Sequence, residues 1–368
     1  MLEKSSNPLI QTSKIGNIAL GLILVFLVVW VLIIGQTIIL PFMIALFLSF
    51  LLDPIVEQLT RWKIPLSIAV AITLLLAFVF LYLVGLLVYT NIQIFVKQFP
   101  IYQDRLLSWL REILQRIEYL LGEPLSIRDL KLSEYLVSLQ SFSIAKNVLT
   151  SVGSFVTFML KTLIVIIFIA YLLTGKRNIN NKIKNAFPEG QAFRIITILD
   201  NVTNQIQLYL GVKTIVSFIT GVLSIIIFYA FGLDFVIFWG FLIFIFNYIP
   251  NIGSVIASLL PTLFSLLQFG SPTRAFWLIV AMTILQLSMG NIIEPRLMGR
   301  SLNLSPLFVI MSLIFWGYIW GIAGMILAVP ILGILTITFE NFESLRFLSV
   351  FIRGKSKESK PQANPRQE

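Results

Sequence analysis

Two stretches carry most of the residue types that could do chemistry within apolar surroundings. The first, Asn291-Ile292-Ile293-Glu294-Pro295-Arg296-Leu297-Met298-Gly299, sets one carboxylate between two apolar segments. Held at membrane depth, Glu294 could exchange a proton or bind a cation. Held at the cytoplasmic interface, it would instead pair with Arg296 or Arg300, as interfacial ions commonly do. The second, Asn247-Tyr248-Ile249-Pro250-Asn251-Ile252-Gly253, combines polar groups with a helix break. Free backbone carbonyls and a helix N-terminus would be offered there to a ligand or an ion. Asn247, Gln286 and Asn291 are neutral donors and acceptors near the ends of apolar runs. Each could bind a polyhydroxylated ligand or bond a neighbouring helix. Asp53 and Asp234 are poorer candidates, both expected at an interface.

Other chemistry is excluded by composition. The chain has no cysteine and no histidine, which removes disulfides, thiolates, imidazole bases and histidine zinc sites. No G-x-x-x-x-G-K-[ST] loop is present to hold ATP, no G-x-S-x-G nucleophile turn, and no pair of mid-span aspartates. The chain is therefore not read as an enzyme, and no cofactor is expected. Hydrophobic residues make up 58% of its 368 residues and charged residues 12%. A soluble domain of this size could not bury so much apolar side chain, so the chain is an integral membrane protein. The net charge of +10 comes from short basic segments beside apolar runs, the mark of cytoplasmic loops rather than of a nucleic-acid surface.

The predicted fold is all-α, a polytopic transmembrane helical protein of about eight spans with two broken or re-entrant helical hairpins. Residues 1–90 hold three spans: 15–34, read as retained rather than as a signal peptide, 38–52, ended by Asp53-Pro54, and 66–90. Residues 91–150 form an amphipathic extramembrane segment, with Leu106, Leu110, Ile113, Ile117 and Leu120 at helical spacing. A turn at Gly122-Glu123-Pro124 and a shorter helix over 134–139 follow. This segment would lie on the membrane or pack against its own copy in another subunit. Residues 151–208 comprise a fourth span, 152–174, and a connector whose Lys176, Arg177, Lys182, Lys184 and Arg194 mark the cytoplasmic side. Residues 209–345 form a C-terminal transmembrane unit, and 346–368 a disordered basic tail. Both termini are predicted cytoplasmic.

The two chemical stretches must be positioned by that C-terminal unit. There, 235–269 is interrupted at Pro250-Asn251-Ile252-Gly253 and 304–339 around Gly317 to Gly324. Such breaks survive at lipid depth only where protein or a watery cavity satisfies the freed backbone groups. Residues 209–269 and 273–340 share one order: a span, then a broken hairpin, with Gly253 followed by Pro261 and Gly321 by Pro330. Starting from opposite sides, they would be an inverted repeat, a pointer to a binding site. Pro295, Gly299, Gly317, Gly321, Gly324 and Pro330 are the expected hinge or break positions. Pro295 is expected to hold Glu294 out of the helical region. Gly317 and Gly321 also make a G-x-x-x-G spacing suited to close helix packing. Lys161 and Lys213 are expected to snorkel to the interface, and Trp30, Trp316 and Trp320 to be interfacial or packing residues.

These blocks resemble the AI-2E transporter family. Tyr248 to Gly253, Asn291 to Gly299, and Gly317 through Gly321, Gly324, Ala328 and Pro330 match its pattern, with agreeing spacing between them. The resemblance covers residues 15–345 and is weakest over 91–150. It implies a multi-pass transporter of the bacterial inner membrane, a homo-oligomer among membrane lipid whose partner is a small-molecule solute or ion. Members resemble exporters of the quorum-sensing signal autoinducer-2, while others look like sodium or lithium/proton antiporters. The resulting expectation is a secondary transporter exporting a small solute such as autoinducer-2. Asn247, Tyr248, Pro250, Asn251, Gly253, Gln286, Asn291, Glu294 and Arg296 would line the solute or ion pathway. Antiport through Glu294 and a non-transporting scaffold are the alternatives.

Overall fold

The structure, a computed structural model, describes residues 8–121, 154–299, 302–343 and 345–354. The described chain is helical: α1 (Pro8–Ile34), α2 (Gln36–Arg61), α3 (Leu66–Leu121), α4 (Ser154–Ala186), α5 (Glu189–Ala230), α6 (Val236–Phe246), α7 (Ile252–Phe269) and α8 (Pro272–Leu287). A π-helical stretch (Ser288–Ile293) leads into α9 (Glu294–Met298), followed by α10 (Pro306–Asn341) and α11 (Arg346–Ile352). Helices bond their own backbone, which is what hydrocarbon demands of a spanning segment. Six of the described helices are long and apolar enough to cross a membrane. The bent pair Thr162–Lys176 and Asn178–Ala186 of α4 makes a seventh. The multi-span all-α expectation thus holds, with Ala19–Ile34 and Val236–Phe246 as further, shorter apolar helices.

Several sequence boundaries move. Asp53-Pro54 does not end the second helix, since α2 continues to Arg61. Packing overrides the proline: the Asp53 carboxylate is buried and bonded by Lys176 of α4 and by Gln207 of α5, the latter at 2.8 Å. α3 does not stop where its apolar run does. It extends as one helix to Leu121, so the first part of the amphipathic segment is its continuation. The turn at Gly122 and the helix over 134–139 lie outside the described residues. The stretch 192–208 and the following span are likewise one helix, α5. The disordered tail expected from Arg346 does not begin there. α11 buries Ser349 and Ile352, Gly354 N donates to Asn303 O at 2.9 Å, and Arg353 bonds Glu340 at 2.8 Å.

The core gathers around α5. Phe47 of α2, Ile206, Tyr209 and Leu210 of α5, and Trp320 and Leu327 of α10 form one buried cluster. Phe228 of α5, Trp239 and Ile243 of α6, Phe264 of α7 and Leu278 of α8 form another. Trp320 is a packing residue, and its Nε1 donates to the Leu32 carbonyl of α1 at 3.2 Å. Arg194, at the start of α5, donates to the Asn341 carbonyl at the end of α10. Beyond the other end of α5, Gln268 of α7 donates to Gly232 O and accepts from Asp234 N, both at 2.9 Å. The hairpin α6–α7 therefore opens at one end of α5 and α10 at the other, an inverted arrangement.

α10 is itself a hairpin. Gly321, at φ 62° and ψ −143°, breaks it. Ser312 Oγ then reaches the Ala328 carbonyl at 3.0 Å, although residues that far apart in a straight helix stand about 24 Å apart. Gly317 faces Met325 of the returning limb, so its glycine serves close packing. Pro330 lies buried inside that limb and Gly299 turns the chain after α9 at φ 58°.

α3 grips the open end of the first hairpin. Tyr102 donates to the Asp234 carboxylate at 2.7 Å and Arg105 to the Gln268 carbonyl at 2.6 Å, above the rings of Phe95, Phe235 and Phe264. Burial first, then the bond to Asp234, push the Tyr102 phenol above its ordinary value, so it remains a donor at physiological pH. Tyr102→Phe is expected to lower stability by about 1 kcal/mol, read as a lower thermal midpoint in detergent. An unchanged midpoint would show that the clasp carries no weight.

Candidate functional site

The tip of the α6–α7 hairpin, Asn247 to Asn251, is where the chain stops bonding itself as a helix. Ile252 N bonds Pro250 O at 2.6 Å around Asn251, whose φ is 59° and ψ −58°. That is a positive-φ γ-turn, a strained form for a residue with a side chain and one that concentrates at functional sites. The tip rests on a polar face of α5. Tyr248 OH and Thr214 Oγ1 are 2.7 Å apart, and Asn247 Nδ2 donates to Ser217 Oγ at 3.2 Å. Ile249, fully buried, packs on Leu313 and Ala328 of α10.

The third wall comes from α8 and its continuation. Pro295 does not turn the chain, and Glu294 is helical at φ −56° and ψ −51°. Proline has no N–H to bond the carbonyl of an α-helical preceding turn, and its ring would clash with that carbonyl. Here that turn is widened instead: Glu294 N donates to Met289 O, five residues back. Such π stretches are often found at functional sites. It brings Glu294 onto Lys213 of α5, with Nζ and Oε1 2.5 Å apart and the side chains 4% and 16% exposed. Neither the expected interfacial pairing of Glu294 with Arg296 nor the snorkelling of Lys213 occurs. Arg296 is exposed, and Arg300 lies outside the described residues.

Between these walls lies a cavity of about 410 Å³, within the range of sites for small organic ligands. Of the expected pathway residues, Asn247, Pro250, Asn251, Gln286, Asn291 and Glu294 line it. Tyr248, Gly253 and Arg296 do not. Tyr248 is tied to α5, Gly253 lies buried at the start of α7, and Arg296 is exposed. Lys213, Ser254, Ser258 and Thr283 also line the cavity, and sequence reading missed them. A signal for them existed. Ser254 and Ser258 continue the face of Asn251, and Thr283, Gln286, Gly290 and Glu294 recur at helical spacing within an apolar run. Among the described residues no group of histidine, cysteine or carboxylate side chains could hold a metal ion. Trapped among amides, hydroxyls and an internally neutral ion pair, a guest would be held by hydrogen bonds.

Comparison with known proteins gives the family. The profile described as AI-2E family transporter matches residues 20–344. A Borreliella burgdorferi protein named "Putative transport protein" is 30% identical over 352 residues, 95% of this chain and 94% of the relative. The AI-2 transport protein TqsA of Escherichia coli K12 is 31% identical over 329 residues, 87% and 91% of the two chains. A Haemophilus influenzae protein, also named "Putative transport protein", is 29% identical over 308 residues, 83% and 86%. A family match that spans both broken hairpins, the π stretch and the cavity between them settles the assignment: the chain belongs to the AI-2E transporter family.

Proposed function

We propose that this transporter exports a small, uncharged, oxygen-rich solute, with autoinducer-2 the first candidate, through the cavity at the α6–α7 tip. The observation that supports the reading most is a coincidence. The strained γ-turn, Lys213 of α5 and the π stretch all border the same cavity. A scaffold has no use for such breaks inside apolar helices. Antiport through Glu294 is disfavoured, because Lys213 already occupies the position a bound cation would take. In this reading the protein is a homo-oligomer embedded in lipid in the inner membrane, with both termini cytoplasmic. The meeting of Arg194, Asn341 and the 346–353 segment at one end supports a shared side for the basic connector and the C-terminal segment.

The absence of native cysteine makes a direct test simple. A single Ser254→Cys, reacted with a small water-soluble thiol reagent, should lose at least about tenfold in autoinducer-2 efflux. Prior autoinducer-2 should slow the labelling. Complete labelling with undiminished efflux would sink the assignment of this cavity to the path.

A further inference from the structure

We propose that Gln286 determines which solutes the cavity accepts, by donating a hydrogen bond from Nε2 to a solute oxygen. The inference rests on the reading of the cavity as the solute's path. Gln286 lines the α8 wall, and its Nε2 is buried with no hydrogen-bond partner. The more common use of a membrane glutamine, bonding a neighbouring helix, is therefore not the use made of this nitrogen.

The two serines of the cavity have already committed their protons. Ser254 Oγ donates to Asn251 O and Ser258 Oγ to Ser254 O, both at 2.9 Å. Asn247 Nδ2 gives one proton to Ser217, and Lys213 is held by Glu294. What the two serines have left to offer a guest is acceptor lone pairs. α7 and α8 run antiparallel across the short Gly270-Ser271 turn, and Ser254 and Gln286 lie at matching distances from it. Ser254, Ser258 and Gln286 thus border the same cavity from facing helices. A buried N–H without an acceptor is unfavourable until something accepts from it. A solute oxygen placed there gains that relief, and a solute lacking the oxygen does not. Sites built around such a group discriminate against the deficient analogue far better than apolar pockets discriminate by size.

The test uses the full-length protein in liposomes, with wild type, Gln286→Leu and Gln286→Glu. Each is assayed with autoinducer-2 and with analogues that each lack one oxygen. Gln286→Leu should raise KM for autoinducer-2 about tenfold and leave the maximal rate within about twofold. Gln286→Glu keeps the shape but not the donor, and should be as poor as leucine. One analogue should show the same rise in KM with wild type and be indifferent to either substitution, as expected when both changes delete the same bond. A rise shared equally by every analogue, or a fallen maximal rate with KM unchanged, would mean a packing role and overturn the proposal. So would full activity of Gln286→Glu. Wild-type protein that moves no autoinducer-2 would refute the path reading for this solute and the donor role with it. Wild-type transport that ignores all changes at Gln286 would refute the donor role alone.

Discussion

Gly253→Ala is expected to abolish transport and to destabilise the protein by at least about 3 kcal/mol, beyond ordinary overpacking. A Cβ on Gly253 would stand 1.8 Å from the Phe246 carbonyl oxygen, 2.8 Å from its carbon and 3.0 Å from Ile249 Cβ. Two of those atoms are backbone, so no side chain can move aside to make room. The only relief is to open the turn, which would take Asn247 and Asn251 away from the cavity. Gly324→Ala should behave alike. Its Cβ would meet the Trp316 carbonyl oxygen at 2.0 Å and Trp320 Cβ at 3.0 Å. Gly211→Ala, which meets nothing within 4 Å in the middle of α5, is the control and should hold or gain stability. Thermal midpoints in detergent and solute efflux read both effects. A Gly253→Ala protein with the wild-type midpoint and rate would show that the tip does not close as described.

The same pair of clashes aligns the two hairpins. In each, a glycine lies against a carbonyl one turn of the hairpin earlier and against the Cβ four residues before it. Gly253 therefore corresponds to Gly324, with Asn251 and Gly321 as the positive-φ break residues. The sequence alignment of Gly253 with Gly321, made from the spacing to Pro261 and Pro330, chose the wrong glycine. Proline spacing was a poor guide because both prolines sit within continuous helix. A break is set by the residue whose backbone leaves the helical region.

The breaks themselves were legible, because Pro-Asn-Ile-Gly and the glycine cluster stand out inside apolar runs. Where helices end was less so. Asp53-Pro54 and Pro295 both read as stops by local rules, yet α2 runs through the first under the pull of Lys176 and Gln207, and a π turn absorbs the second. The continuity of α3 past the apolar region was hidden because hydropathy changes along it while helical propensity does not. Lys213 was misjudged on a rule that treats each lysine alone. It is the sole charge between residues 201 and 233, and Glu294 is the sole carboxylate between 235 and 339. Read together, a lone cation and a lone anion in apolar segments predict each other, because neither is stable there unpaired.

Removing either partner of that pair should do more harm than removing both. Lys213→Met or Glu294→Met alone leaves one buried charge without its counterion, a loss of about 3–5 kcal/mol in comparable cases. Each single variant is expected to show poor yield and a markedly lower thermal midpoint. Lys213→Met with Glu294→Met replaces the pair by apolar groups of similar length and should fold nearly as stably as the wild type, since desolvation offsets much of the attraction within a buried pair. The coupling between the sites, measured as departure from additivity, should then reach several kcal/mol, beyond the usual ceiling of about 3 for contacting residues. Single variants as stable as the wild type, or a double variant worse than either single, would contradict the pairing. Transport by the double variant then decides what the pair is for. The pair joins α5 to the first residue of α9, directly after the π stretch, so any motion of α8 and its continuation against α5 must carry it along or break it. Full activity without it would make the pair a strut that fixes the cavity wall. A stable double variant that moves nothing would make its breaking and remaking a step of transport.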